Sequence, residues 1–357
     1  MIGLIFDDKD RKRFDQLRNK MLENRRSADL FSIYLNRFPE LVKPQLVKEI
    51  ADDCGVSSKI AVASILSAAF GIDSERSQEE REFERKYIDS AVHILDINTY
   101  ASDPYYTNIK VPVKDVGRWS FVDLSYSAYE GFVFSESVIK RDHSEVQSIG
   151  FFENEFYFPA VLENGREWMA IKPNEIETMR QPIEEVSGKV VTLGLGMGYF
   201  AYMASLKSDV TSVTVVERDP SVIELFETHI LPQFEYKDKI KIVKSDAFDY
   251  LNNNETLDAD YLFADLWHDA SDGLVLYQKL KKYEGKFSST KFLYWIEHTL
   301  LSYMRDAIIY NDSKRLSEGM TGAAVCAKVI KGFDDYLHFL GNELPYYLRE
   351  NDIDLFL

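Results

Sequence analysis

The segment Val190-Val191-Thr192-Leu193-Gly194-Leu195-Gly196-Met197-Gly198-Tyr199 constrains the fold of this 357-residue chain more than any other. Its apolar and β-branched start favours a strand covered on both faces. Glycines at three alternate positions then break the strand, because glycine enters positive φ freely and lets another backbone or a ligand come close. A helix-like segment follows at once, so the unit reads as the strand, turn and helix of a nucleotide site. A second apolar run, Val213-Thr214-Val215-Val216, ends in Glu217, about 20 residues on, where such units place an acid against ribose hydroxyls.

From Gly188 onward apolar runs alternate with helical patterns. Strands are expected at 189–193, 213–216, 240–243, 261–264 and 291–296, with helices near 199–206 and 220–230. Two-sided apolar strands in this alternation predict a parallel sheet covered by helices. Between Tyr100 and Ile171 aromatic and β-branched residues dominate, and Asn164-Gly165 between two apolar runs is a hairpin turn, since both residues tolerate positive φ. Pro173 and Asn174 then start a short helix.

Residues 7–95 read as helical, with Phe14, Leu17, Met21 and Leu22 at three- and four-residue spacing among arginines. Inside this stretch, Ala51, Gly55, Val56 and Ser57 have the spacing of a helix-turn-helix. Ala61 is small where a larger aliphatic residue packs in such motifs, and Lys59 is the one basic residue offered to DNA, so the reading preferred is an αα corner in a helical region. After Leu300 the pattern is again helical, with 333–340 as one amphipathic piece.

The formal charge is −17, from 42 basic and 59 acidic residues. That excess opposes phosphate backbones, making nucleic acid an unfavoured partner, and it suits neutral or cationic small molecules. No stretch is long and apolar enough for a membrane span, and the start of the chain lacks a signal-peptide pattern, so a cytoplasmic enzyme is expected. Cys54 and Cys326 are far apart, without a zinc-like histidine pattern. No metal site is expected, and both thiols are read as buried and reduced.

The spacing of the turn separates nucleotide classes. G-x-G-x-x-G would place a small residue at 199, which is Tyr199. The G-x-G-x-G of Gly194, Gly196 and Gly198 resembles motif I of class I S-adenosylmethionine-dependent methyltransferases. The resemblance covers about 110 residues, with motifs ordered as in the Rossmann scheme. It implies that Glu217 holds the ribose, Asp246 and Ala247 read the adenine, and Asp265 in Phe263-Ala264-Asp265-Leu266-Trp267 lies at the reacting centre. Thr192 departs from the pattern, standing where many of these enzymes carry an acid near the cofactor's amino group. The run from Val215 to Ile223 resembles spermidine synthases, which share the fold and transfer an aminopropyl group. Their aspartate pair after the fourth strand is three residues apart and precedes proline. Here Asp265 and Asp269 are four apart, no proline follows, and Asp272 extends the acidic run.

The expected architecture is therefore α/β: a helical region (1–100), a small antiparallel β unit (101–180), a Rossmann-like class I methyltransferase domain (181–300) and a helical C-terminal tail (301–357). The cofactor-binding set is Thr192, Gly194, Gly196, Gly198, Glu217, Asp246, Ala247 and Asp265, and the cofactor is S-adenosylmethionine. Asp265 and His268 are the candidate bases, because a loop histidine titrates near neutrality. His268 is equally readable as a helix cap, and Trp267 either lines a sulfonium pocket or packs. Trp168, Glu175 and Glu177 either close the site from the β unit or make ordinary packing contacts. The function expected is methyl transfer to a small acceptor, with aminopropyl transfer to an amine as the alternative and a nucleoside-binding regulator as a third. A cationic acceptor and a homo-oligomer are compatible with the sequence.

Overall fold

The structure is a computed structural model, and it describes residues 2–317 and 328–353. The chain opens with β1 (Ile2–Ile5) and the 30-residue α1 (Asp8–Arg37). Asp7 starts this helix through a capping box with Asp10, which satisfies two otherwise unpaired backbone donors. Helices α2 (Pro44–Cys54) and α3 (Ser58–Ala69) meet at Gly55, which is left-handed at φ 63°, and Ser57 caps α3 by accepting from the Ile60 N–H. The αα corner expected from Ala51, Gly55 and Ser57 is thus present. Cys54 is exposed there, not buried as expected: it is the last residue of α2, at the open helix end beside the Gly55 turn. Cys326 lies outside the described residues.

Helix α4 (Gln78–Phe83) runs through a wide turn to Ile88, and β2 (Val92–Ile94) follows. The helical reading of 77–95 fails at its end because Val92–Ile94 pairs with Ile149–Phe151, a partner no local pattern reveals. Short helices α5 (Ile97–Ala101) and α6 (Pro104–Asn108) lead into the β unit. Its strands are β3 (Lys114–Val116), β4 (Trp119–Tyr126), β5 (Phe132–Ile139), β6 (Glu145–Phe151), β7 (Phe156–Glu163) and β8 (Arg166–Ala170). They form an antiparallel sheet β3-β4-β7-β8 and a second sheet β2-β6-β5. The hairpin turn lies at Asn164-Gly165, at φ 50° and 80°. Phe31, Tyr34, Leu66 and Tyr87 pack with Ile149 and Phe151 in a separate core, so the N-terminal helices share a core with strand β6.

Helix α7 (Pro173–Glu185) then enters a five-stranded parallel sheet of β9 (Gly188–Leu193), β10 (Val210–Glu217), β11 (Ile240–Lys244), β12 (Tyr261–Ala264) and β13 (Lys291–Tyr294). The order is β11-β10-β9-β12-β13 and every pairing is parallel, as in a Rossmann-like fold. The connections include α8 (Tyr199–Leu206), α9 (Pro220–Leu225), α10 (Ala247–Asn253), α11 (Ala270–Lys281) and α12 (Tyr283–Lys286). Because β9 is central and its neighbours leave in opposite directions, a crevice opens at its carboxyl end. The long α13 (Glu297–Ser317) follows, then β14 (Lys328–Lys331), α14 (Phe333–His338) and α15 (Leu344–Tyr347). The expected helical tail thus contains a strand, and β14 pairs in parallel with β1 at the opposite end of the chain. No described helix is long and apolar enough to cross a membrane.

Candidate functional site

The crevice gathers most of the residues singled out in the sequence. Gly194 has φ 99°, and a Cβ there would lie 2.1 Å from the carbonyl oxygen of Asp265. The ends of β9 and β12 therefore cross so closely that only glycine fits. Gly196, at φ 58°, faces the β unit: a Cβ would meet the Met169 methyl at 3.0 Å. Gly198 stands at the start of α8, at φ 76°. The Thr192 hydroxyl is buried and donates to the Gly194 carbonyl at 3.3 Å, leaving its lone pairs as acceptors.

Glu217 ties the turn to its own strand end. One carboxylate oxygen accepts from the Leu195 N–H at 3.3 Å and the other from the Asp219 N–H at 2.8 Å. Each oxygen keeps a further acceptor site, as two ribose hydroxyls require. Asp246 caps α10 through Oδ1, which accepts from Phe248 and Asp249 at 2.8 and 3.3 Å, while Oδ2 has no protein donor among the described residues. Ala247 occupies the first turn, where the N–H has no intrahelical acceptor. One available acceptor and one available donor thus stand side by side, as recognition of an adenine amino group and ring nitrogen needs.

Asp265 and Glu175 line one small cavity of about 40 Å³ together with Thr192, the glycine turn, Met169 and Met179. Neither carboxyl has a hydrogen-bond or ion-pair partner among the described residues. Burial pushes Glu175 up to about 7, and burial with the Glu175 charge nearby holds Asp265 well above the ordinary carboxylate range. The two remaining β-unit candidates do other work. Trp168 packs on Trp119 at 4.6 Å, and Glu177 pairs with Arg180 at 2.8 Å.

His268 does not share this cavity. It lines a groove of about 850 Å³ between α1, β5, α7 and α13, and its exposed ring lies 3.4 Å from Asp272. Asp269 and Asp272 form the capping box of α11, so they do not gather around Asp265 as an acidic cluster. Trp267 is buried against Gly273 and lines neither cavity.

Several site residues had no sequence signal. The Tyr105 hydroxyl donates to the Met197 carbonyl at 2.6 Å, and the Tyr199 hydroxyl donates to Asp103 at 2.9 Å, locking α6 under the glycine turn. Arg118 reaches Asp219 at 2.5 Å and the Trp119 indole reaches Ser221 at 3.2 Å, so the β unit is fastened just beyond Glu217. The groove acids Asp29, Glu136, Glu145 and Asp306 come from four separate elements. Asp103 followed by Pro104 is the local helix-start pattern that marks α6.

No family model matches the chain, and no curated protein matches it. Among solved structures it is similar to spermidine synthase from Thermotoga maritima, at 15% identity and a TM-score of 0.29, over 38% of this chain and 49% of that one. It is also similar to a spermidine synthase in complex with the transition state analogue AdoDATO, at 17% identity and a TM-score of 0.31, over 38% and 50%. The chain thus spans about half the length of these relatives.

Proposed function

We propose that the chain binds an S-adenosyl sulfonium compound at the carboxyl edge of its parallel sheet and transfers the methyl group to a small acceptor. The observation carrying this reading is the convergence of Thr192, the Gly194–Gly198 turn, Glu217, Asp246 and Asp265 on one edge, each from a different strand end or turn. Glu217 would hold the ribose, Asp246 Oδ2 and the Ala247 N–H the adenine, and Thr192 with Asp265 the methionine-derived end. The cavity of about 40 Å³ would take only the methionine-derived end, and Met169, whose methyl stands against Gly196, would swing away to widen it. Methionine's three flexible torsions make that motion inexpensive.

When bound, the sulfonium supplies an electrophilic carbon. The protein then has to align the acceptor and exclude water, and it needs a base only if the acceptor carries a proton. The groove beside α7 is the acceptor space in this reading. Asn174 and Thr178 of α7 face the groove while Glu175 and Met179 face the cavity, so a single helix separates the two chambers. His268 at the groove and Asp265 in the cavity remain the two base candidates. The groove acids suit a cationic acceptor.

Aminopropyl transfer is the second reading, favoured by one feature: the cavity wall holds two carboxyls and no lysine or arginine among its residues. A ligand carboxylate has no counter-ion there, whereas the decarboxylated cofactor brings none. Calorimetry with S-adenosylmethionine, its decarboxylated form and S-adenosylhomocysteine tests both. Preference for the decarboxylated compound would sink methyl transfer in favour of the second reading. Glu217→Ala should weaken any of the three about 100-fold, since two charge-assisted hydrogen bonds are lost. Unchanged affinity would refute the site.

A further inference from the structure

We infer that Glu175 and Asp265 together form the seat for the ligand's positive charge, and that the charge enters in exchange for a proton carried by one of the two carboxyls. The identity of the ligand rests on the adenosyl reading above; the seat rests on geometry. Glu175 projects from the first turn of α7 and Asp265 from the loop after β12, and both line the same small cavity. Its remaining wall is largely apolar, with Met169, Met179, Leu195 and Phe200. Two unpartnered carboxyls sharing such surroundings resist double ionisation, so a proton or an external cation on one of them is favoured.

The surrounding charged groups are already engaged. Lys172, one turn before Glu175, lies 2.7 Å from Glu167. Tyr199, the other titratable side chain in the wall, donates to Asp103. Glu217 and Asp246, the other acids of the edge, accept backbone N–H groups and belong to the nucleoside end. Among the described residues, the acid pair is thus the pair of edge carboxyls that accept no hydrogen bond from the protein, and half of it comes from outside the parallel sheet. Glu175 is therefore a specificity residue that no motif of the sheet supplies. It also gives α7, the wall between cavity and groove, a direct contact with the ligand's charge. Burial keeps a proton on the pair near neutral pH, so cation binding must release it.

The test is calorimetry of the full chain at about pH 6, where the pair is protonated, in two buffers of different ionisation enthalpy. The ligands are S-adenosylmethionine and the neutral thioether 5′-methylthioadenosine. The native chain should favour the sulfonium and release protons on binding it. Glu175→Gln and Asp265→Asn, each checked by thermal melting, should each lose about tenfold or more in sulfonium affinity, as expected for loss of one partly buried charge contact. Both should keep thioether affinity and release fewer protons. Equal weakening of both ligands, or proton release unaffected by Glu175→Gln, would overturn the inference and leave the adenosyl reading standing. Failure of the native chain to bind either nucleoside would overturn both.

Discussion

Glu175 connects single-residue chemistry to the stability of the whole protein. Its folded pKa of about 7 lies above the ordinary glutamate value, so the folded state binds a proton more tightly than the unfolded chain does. The stability associated with that proton is fully present below the unfolded pKa and is lost as pH rises through about 7. At 1.36 kcal/mol per pKa unit, the loss is on the order of 3 kcal/mol. Melting curves of the ligand-free protein should therefore shift downward between about pH 5 and pH 8, and Glu175→Gln should flatten that slope. Equal slopes in the two proteins would show that the carboxyl is not desolvated. Other residues of the edge were legible for a simpler reason. Gly194, Glu217 and Asp246 stand at the ends of apolar strand runs or at a helix cap, so their positions are written in local spacing. Glu175 acts on Asp265 across 90 positions of sequence, and nothing local marks that encounter.

Elements were readable where their signals were local. The strands β9 to β13 appear at the expected segments because each is a buried apolar run ended by a turn or cap. The hairpin follows from Asn164-Gly165 for the same reason. Caps also resolve an ambiguity in the loop after β12, since Asp269 and Asp272 satisfy backbone donors at the start of α11. Asp269→Ala should accordingly cost about 1 kcal/mol of stability in denaturant unfolding with little effect on nucleoside binding. A large binding defect would return Asp269 to the site. Among the elements missed, β1, β2 and β14 are three- or four-residue strands in helical surroundings. Each exists only because a distant segment completes its ladder.

At the scale of the molecule, the face opposite the site carries its own buried charge system. Lys281 is buried, 2.5 Å from Glu284 and 3.7 Å from Glu297, and Arg349 near the end of the chain reaches Glu284 at 2.6 Å. Removing the amine would leave carboxylates under-compensated in a low-dielectric setting, so Lys281→Ala should destabilise folding by about 3–5 kcal/mol. Thermal and urea unfolding would measure it, and a loss below about 1 kcal/mol would mean that water already solvates the cluster. The sequence by itself determined the alternating α/β order, the glycine turn and the acids at strand ends, because periodicity, φ preference and capping act within a few residues. Only the tertiary structure decided that β1 and β14 join the two ends of the chain, that His268 and Asp265 face different chambers, and that Glu175 meets Asp265. Those outcomes depend on which distant surfaces pack together, and burial and charge pairing are set by that packing.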